Sequence, residues 1–223
     1  MIKIGVPSKG RLMDQTFDWF GARGLAMRRT GAEREYSGAV DGMDGVELVL
    51  MAASEVPREL QAGRIDLGIT GTDLVREEFA DWTAVVTEVH CLGFGHADLI
   101  LAVPSVWVDV DTLDDLDAAA AAFRATHGFR LRIATKYHRL VREFLTENGV
   151  ADYQLVDSLG ATEGTVKNLT AEGIADITSS GETLRANHLK VLSDGVILRS
   201  QAMLYRARAS GADLAPLLAR LGL

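Results

Sequence analysis

Three segments of the sequence place small, hydroxyl-bearing or basic residues between a predicted β-strand and a predicted helix. The first follows the strand predicted over residues 2–7 and consists of Ser8, Lys9, Gly10 and Arg11. Free N–H groups at the start of a helix, together with the helix dipole, attract anions. A lysine and an arginine beside such amides indicate a phosphate site, although an ordinary turn with solvated basic side chains has the same composition.

The second segment, Gly71, Thr72 and Asp73, follows a strand predicted over residues 65–70. Thr72 or Asp73 could contact a ligand, and either could equally cap the helix that follows. The residue types alone leave both interpretations open.

The third segment, residues 157–165, is the richest in hydrogen-bonding groups. Two glycines, two threonines and a serine can surround a phosphate with N–H and O–H donors. Asp157 and Glu163 are acceptors suited to ribose hydroxyls or to a water bound to Mg²⁺. Because a phosphate alone needs no carboxylates, the segment indicates a sugar phosphate; the alternative is a polar surface loop with a helix cap. The candidate contacts are Asp157, Gly160, Ala161, Thr162, Glu163, Gly164 and Thr165.

The motifs of several other chemistries are missing. The sequence has no G-x-S-x-G nucleophile turn and no G-x-x-x-x-G-K-[ST] motif. Its five histidines lack the spacing of a zinc site. The single cysteine, Cys91, cannot form an internal disulfide, and its place after a predicted strand indicates a buried side chain rather than a nucleophile.

The elements that would position these segments alternate along the chain. Short apolar runs, such as residues 46–51 and 65–70, alternate with runs of helical periodicity. Between these two runs stand a serine suited to an N-cap, a proline for the first turn and a terminal glycine, so residues 46–70 are predicted to form a β-α-β unit. Such alternation indicates parallel sheets in an α/β fold.

The chain is long enough for two sheets, yet no shift in composition marks a linker. We therefore expect two lobes joined by crossing strands, with a ligand cleft between the lobes. Residues 1–92 with 180–223 are predicted as the first lobe, and residues 93–179 as the second, which carries the sugar-phosphate segment. The outgoing crossing is expected within residues 85–104 and the return near residues 179–183.

Charge and hydropathy narrow the classes of function. The chain has 223 residues, a formal net charge of −8 and no basic run, which argues against a nucleic-acid partner. No apolar run approaches the ~18–20 residues of a membrane helix, which argues against a membrane protein. The first residues lack the features of a signal peptide, so the expected location is the cytoplasm.

Several segments, taken together, resemble the ATP phosphoribosyltransferase family, which catalyses the first step of histidine biosynthesis. The resemblance rests on residues 4–12 (IGVPSKGRL), 63–71 (GRIDLGITG) and 92–95 (LGFG), and most specifically on positions within residues 163–187. It runs through nearly the whole chain.

Three positions depart from the family's pattern. Leu169 stands where glycine is usual, Cys91 where aspartate is frequent, and Ala52 where an arginine is often found. These departures indicate a divergent branch of the family.

The resemblance implies a two-lobed α/β fold like that of the type II periplasmic solute-binding proteins. It also implies the short form of the family, since 223 residues leave no room for the C-terminal regulatory domain of the long form. Short forms assemble with a regulatory subunit related to histidyl-tRNA synthetase into a hetero-octamer. A homodimer is expected for the chain alone.

The implied reaction joins N1 of ATP to C1 of 5-phosphoribosyl 1-pyrophosphate and releases pyrophosphate. Mg²⁺ is the expected cofactor, held by the substrates rather than by protein side chains. In this scheme residues 160–165 hold the sugar 5-phosphate, and Asp157 and Glu163 face the ribose. The catalytic candidates are Lys9, Arg11 and Arg34, which would stabilise the phosphates. The expected ATP contacts are Ser8, Lys9, Gly10, Arg11, Gly71, Thr72 and Asp73.

Two alternatives stay open. A non-catalytic cytosolic sensor could share the fold, although it would not need carboxylates beside a phosphate site. A phosphoribosyltransferase for another base could share the sugar-phosphate segment, whereas the N-terminal motif and residues 66–71 favour ATP.

Overall fold

The computed structural model of the chain describes residues 1–30, 37–158 and 160–223. Internal contacts divide it into two compact units. Unit 1 comprises residues 1–96 and 200–223, and unit 2 comprises residues 97–199. Within the described ranges, every helix is too short or too polar to span a bilayer.

Strands and helices alternate along the chain. The first part contains β1 (Ile2–Pro7), α1 (Gly10–Gly21), β2 (Met27–Arg29), β3 (Ser37–Val40), β4 (Val46–Met51), α2 (Val56–Gln61), β5 (Leu67–Gly71), α3 (Thr72–Glu78) and β6 (Val86–Cys91). The remainder contains β7 (Ala97–Pro104), α4 (Leu113–His127), β8 (Leu131–Thr135), α5 (His138–Glu147), β9 (Tyr153–Asp157), α6 (Gly164–Lys167), β10 (Gly173–Thr178), α7 (Glu182–Ala186), β11 (Leu189–Ser200), β12 (Ala202–Ala207) and α8 (Ala215–Leu221).

Unit 1 is built on a seven-stranded sheet with the order β2-β3-β4-β1-β5-β12-β6. The central strand β1 is parallel to β4 and β5, whereas β12 runs antiparallel to β5 and β6. Helices cover the sheet, so the strand residues Ile4, Leu48 and Ile69 and the helix residues Phe20 and Leu217 are fully buried. The apolar character of the central strands follows from this burial on both faces.

Unit 2 is built on a five-stranded sheet with the order β11-β7-β10-β8-β9. Strands β10, β8 and β9 are parallel to one another, and β7 is antiparallel to β10. The carboxyl ends of the three parallel strands therefore lie at the same edge of the sheet. This edge brings together the segments that follow β8, β9 and β10, including the predicted sugar-phosphate segment.

The predicted bounds of β1 and β4 are confirmed, as is the β-α-β unit that β4, α2 and β5 form. The strands β2 and β3, which are short and lie at the edge of the sheet, were not predicted. Sequence patterns near the end of the chain also favour two strands, residues 189–192 and 196–206, with a break at Gly195. Instead β11 continues through Gly195 to Ser200, and β12 begins at Ala202. A Cβ atom on Gly195 would lie 3.0 Å from the carbonyl oxygen of Leu101, so this glycine marks a close approach of neighbouring backbones rather than a strand end.

The boundaries of the two units differ from the predicted lobe boundaries. The chain enters unit 2 at Ala97 and returns to unit 1 at Ser200, not near residues 179–183. Residues 180–199 belong to unit 2 because β11 is hydrogen-bonded to β7 in its sheet. Cys91, predicted to be buried, is exposed at the end of β6.

Candidate functional site

The sugar-phosphate loop, residues 160–165, follows the carboxyl end of β9 and leads into α6. Its fold depends on Thr162, whose side chain is 1% exposed and whose Oγ1 lies 2.9 Å from the Ser158 Oγ that donates to it. Thr165 donates from Oγ1 to the Thr162 carbonyl at 2.6 Å, and its N–H donates to the same carbonyl. Thr162 is therefore an internal support of the loop, which leaves Gly160 and Ala161 exposed.

The two acidic residues of this segment have different surroundings. Asp157 ends β9, and 78% of its side chain is exposed. One of its oxygens lies 2.7 Å from Nε2 of His138. Glu163 stands at the N-cap position of α6, where its side chain makes no capping bond. Asp157 is therefore exposed but bonded to His138, whereas Glu163 is half-buried and caps nothing.

Two basic residues beside this loop were missed by the sequence analysis. Lys136, the residue after β8, donates from Nζ to the carbonyl of Gly160 at 2.9 Å. His138 is the first residue of α5 and holds Asp157. The signal that could have found them is their position: they follow a parallel strand adjacent to β9, and the ends of such strands lie together.

An ion pair joins the segment that follows α6 to strand β8. Arg132 in β8 donates from Nη2 to Glu172 at 2.5 Å and to the carbonyl of Leu169 at 3.0 Å. The hydrogen bond to the Glu172 carboxylate raises the pKa of Arg132. Leu169 itself has a left-handed backbone with φ of 57°, and its side chain is 79% exposed. This conformation explains why glycine would suit the position.

The turn between β1 and α1 contains the first predicted segment, residues 8–11. No side chain of the described residues caps the N-terminal amides of α1. Lys9 is the N-cap residue, with extended backbone, and Lys9, Gly10 and Arg11 are exposed. A Cβ atom on Gly10 would meet nothing within 4 Å, so it is the φ of +75° that favours glycine there. The open space and the uncapped amides together suit an anion.

A third basic residue lies at this turn. Arg29 in β2 donates from Nη2 to the carbonyl of Ser8 and lies 3.2 Å from the sulfur of Met13. The sequence analysis missed Arg29 because it did not predict β2. Arg34, the arginine chosen instead, lies outside the described residues.

The segment Gly71–Asp73 is engaged by the returning chain instead of facing solvent. Thr72 donates from Oγ1 to Ser200 Oγ at 3.1 Å, and the N–H of Asp73 donates to the same oxygen at 3.1 Å. Ser200 in turn donates to Oδ1 of Asp73 at 2.5 Å. All three side chains are buried, and none of them caps α3.

Gly71 is required by this network. A Cβ atom at position 71 would lie 2.1 Å from Oδ1 of Asp73. The sequence suggested either a ligand contact or a helix cap for Thr72 and Asp73. In the structure both side chains are hydrogen-bonded to Ser200, where the chain re-enters unit 1.

Comparison with known proteins gives the family. The model of the family HisG: ATP phosphoribosyltransferase matches residues 52–221. ATP phosphoribosyltransferase of Cereibacter sphaeroides is 75% identical over 227 residues, which cover 100% of this chain and 96% of that protein. ATP phosphoribosyltransferase of Mesorhizobium japonicum is 53% identical over 215 residues, which cover 95% of this chain and 93% of that protein.

Two solved structures have folds similar to that of this chain. A chain of the ATP phosphoribosyl transferase (HisG:HisZ) complex from Thermotoga maritima matches with a TM-score of 0.75 at 19% identity, over 99% of this chain and 94% of that one. The substrate-binding protein of an amino acid ABC transporter matches with a TM-score of 0.54 at 15% identity, over 99% and 89% of the two chains. The predicted α/β fold of the periplasmic-binding-protein type is confirmed. With a full-length relative at 75% identity and a family model that matches most of its residues, the chain belongs to the ATP phosphoribosyltransferase family.

Proposed function

We propose that the segments described above carry out the reaction of this family, the first step of histidine biosynthesis. The enzyme joins N1 of the adenine of ATP to C1 of 5-phosphoribosyl 1-pyrophosphate, and the C1–O bond to pyrophosphate breaks. The observation that carries this function is the 75% identity to an ATP phosphoribosyltransferase along the whole chain. This identity favours an ATP phosphoribosyltransferase over a non-catalytic sensor and over a phosphoribosyltransferase for another base.

The sugar-phosphate loop is proposed to bind the 5-phosphate of the phosphoribosyl substrate. The exposed backbone at Gly160 and Ala161 supplies amide donors, while buried Thr162 keeps the loop in shape. Asp157 and Glu163 would accept hydrogen bonds from the ribose hydroxyls. Lys136 would place a positive charge beside the phosphate, because its Nζ already donates a hydrogen bond to the carbonyl of Gly160 in this loop.

The turn between β1 and α1 is proposed to bind the phosphates of ATP and the departing pyrophosphate. Negative charge grows on the pyrophosphate oxygen as the C1–O bond breaks. Lys9, Arg11 and the uncapped amides of α1 would stabilise that charge, with Arg29 as a further cation at the same turn. No covalent enzyme intermediate is needed, so positioning and charge stabilisation account for the catalysis. Ser8, Gly71, Thr72 and Asp73 complete the proposed ATP contacts, although the side chains of Thr72 and Asp73 are bonded to Ser200.

Mg²⁺ is the proposed cofactor. Among the described residues, no group of three or more His, Cys, Asp or Glu side chains could hold a metal ion. The ion would arrive on the substrate diphosphate, and Asp157 or Glu163 would contact it through a bound water. Bound there, Mg²⁺ would neutralise charge on the diphosphate.

The proposed assembly contains a second kind of subunit. The Thermotoga maritima structure is that of a HisG:HisZ complex, and the match covers 94% of the chain compared. By analogy we propose that this chain works with a regulatory subunit related to histidyl-tRNA synthetase, as a hetero-octamer in the cytoplasm, and forms a homodimer alone.

The test is product formation from ATP and 5-phosphoribosyl 1-pyrophosphate with Mg²⁺, with and without the regulatory subunit. Pyrophosphatase is added to draw the reaction forward. Product from the chain alone would show that the partner regulates an active enzyme, and product only in the mixture would show that assembly is required. No product in either case would contradict the proposed function.

Lys9 can be tested in the same assay with a matched control. We expect Lys9→Ala to lower kcat/KM about 100-fold, because a cation at the developing charge is worth roughly 2–4 kcal/mol in a dry site. Lys3→Ala is the control, since Lys3 is exposed in β1 and its Nζ lies 3.8 Å from Glu47 in a surface ion pair. Equal activity of the two variants would rule out the role of Lys9.

A further inference from the structure

Unit 2 contains a polar cavity that the proposed reaction does not use. Its volume is about 360 Å³, which is large enough for a small metabolite. It is lined by Arg130, Arg142, Ala151, Tyr153, Gln154 and Leu155.

This cavity lies near the amino ends of β8 and β9, whereas the sugar-phosphate loop follows their carboxyl ends. Arg130 immediately precedes β8, and Tyr153 is the first residue of β9. Asp157, where the sugar-phosphate segment begins, is four residues further along β9, or about 13 Å at the rise of a strand. The two places are therefore separate sites of the same unit.

The charges of Arg130 and Arg142 are the feature of the cavity that points to a ligand. Neither of its two arginines forms an ion pair with an acidic group of the described residues, although the chain as a whole carries a net charge of −8. Nearby carboxylates have other partners: Asp152 is paired with Arg124, and Glu143 with Arg139 at 2.8 Å. Asp117 accepts a hydrogen bond at 2.9 Å from the N–H of Ala151 at the cavity wall.

The backbone of β9 adds further donors. The strand is the last in the order of its sheet, so one side of it has no neighbour among the described strands. The carbonyl of Asp152 accepts a hydrogen bond from the N–H of Leu131 in β8 at 3.1 Å. This bond shows which residues of β9 direct their backbone groups towards β8. Since alternate residues of a strand direct their backbone groups to opposite sides, Tyr153 and Leu155 present N–H and C=O groups outward, where they line the cavity.

We propose that this cavity is a second anion-binding site, which takes a small polar molecule carrying a phosphate or carboxylate group. The two guanidinium groups and the outward N–H groups bind the anion, since arginine matches both anions with paired hydrogen bonds. The outward carbonyls and the Gln154 side chain accept from hydroxyl or amino groups on the rest of the ligand. This site does not depend on the proposed reaction.

Inorganic phosphate is the probe for the test. It is titrated into the full-length ¹⁵N-labelled chain at constant ionic strength, with chloride as the replaced ion, and backbone amide shifts are followed by NMR. The expected result is a saturable shift at Tyr153 and Leu155. The double variant Arg130→Ala/Arg142→Ala should bind phosphate there at least about tenfold more weakly, because both charge-assisted contacts are lost. The control Arg220→Ala removes the same charge from α8 in unit 1, at an exposed residue, and should bind as the wild type does.

The outcomes separate this site from the proposed reaction. Shifts confined to residues 160–165 would overturn the second site and leave the proposed substrate loop intact. Shifts at Tyr153 and Leu155 that chloride reproduces, or that survive in the double variant, would also overturn it. Shifts lost only in the double variant support it, and the activity of that variant with both substrates should equal that of the wild type.

Discussion

At the scale of residues, the charge of Lys136 should contribute to the affinity of the sugar-phosphate loop for its proposed substrate, 5-phosphoribosyl 1-pyrophosphate. Lys136 reaches this loop from a different strand, and its Nζ is already anchored on the carbonyl of Gly160 at 2.9 Å. An ammonium held at one place loses little conformational freedom when a phosphate binds. The contribution of Lys136 should therefore appear in substrate affinity.

We expect Lys136→Ala to raise the KM for 5-phosphoribosyl 1-pyrophosphate about tenfold, with little change in the KM for ATP, because one charge-assisted hydrogen bond is lost. Steady-state kinetics with each substrate varied in turn measure this split. Lys167→Ala is the control, since Lys167 is an exposed lysine at the end of α6. An unchanged KM in Lys136→Ala would remove Lys136 from the site.

Leu169, at a position where the sequence pattern favours glycine, has a strained backbone. A non-glycine residue with φ of 57° costs roughly 1–2 kcal/mol, and the largely exposed side chain gains little from burial. Leu169→Gly should therefore raise the free energy of unfolding by about 0.5–1 kcal/mol, after allowing for the greater entropy of glycine in the unfolded chain. Chemical denaturation measures the change. Asn168→Gly, at a residue with φ of −87°, should destabilise instead, and stabilisation by both variants would contradict the role of the backbone angle.

At the scale of elements, the return of the chain to unit 1 is held by a buried network at the start of α3. Ser200 joins Thr72 and Asp73, which lie 128 and 127 residues away in the chain. Removal of the Ser200 hydroxyl would leave a buried carboxylate without one of its donors, and such a loss is costly. The network therefore fixes where β11 ends and β12 begins.

Ser200→Ala should lower the free energy of unfolding by about 1–3 kcal/mol. Ser193→Ala is the matched control, since the Ser193 hydroxyl donates at 2.9 Å to the carbonyl of Asp111 at an exposed position. We expect the control to change stability by less than about 0.5 kcal/mol. Similar losses in the two variants would show that burial of the network does not matter.

The start of α4 should be sensitive to acid. The Asp115 carboxylate accepts from the hydroxyl of Thr112 and from the N–H groups of Asp111 and Thr112, and these bonds lower the pKa of Asp115. A carboxyl with a lowered pKa in the folded state is protonated first in the unfolded chain as the pH falls. Its stabilising effect is therefore complete at neutral pH and is lost as the pH falls through the folded-state pKa.

Asp115→Asn should accordingly be less stable than the wild type at pH 7, and the difference should shrink as the pH falls below about 3.9, the ordinary pKa of an aspartate, towards about pH 2. Urea unfolding at both pH values measures it. Asp114→Asn, which changes the neighbouring exposed aspartate of the first turn, is the control. A deficit of Asp115→Asn that does not change with pH would contradict the role of its charge.

At the scale of the whole molecule, the proposed substrate contacts fall in two different units. The sugar-phosphate loop and Lys136 belong to unit 2, and the turn with Lys9 and Arg11 belongs to unit 1. Each substrate should therefore leave a separate footprint on the chain.

We expect 5-phosphoribosyl 1-pyrophosphate alone to slow amide hydrogen exchange in residues 160–168, and ATP alone to slow it in residues 9–13, because a bound ligand suppresses local opening. Exchange followed by mass spectrometry on the full chain measures both. The reverse pattern would contradict the assignment of the two substrates to the two turns.

Local patterns in the sequence were sufficient for much of the fold and for the family. Short, mostly apolar runs indicated the bounds of β1 and β4, because the residues of these strands that face the core are apolar. The clustered glycine, serine and threonine of residues 157–165 marked the sugar-phosphate segment, since these residue types favour turns with available donors.

The tertiary structure alone decided which distant residues meet. The contact of Lys136 with Gly160 follows from the adjacency of β8 and β9, and the contact of Ser200 with Asp73 follows from the path of β11. Strand order and register also placed residues 180–199 in unit 2 and Arg29 beside Ser8. Such contacts leave no local pattern because they depend on how whole elements pack, whereas the strands and turns themselves are encoded by residues that are neighbours in the chain.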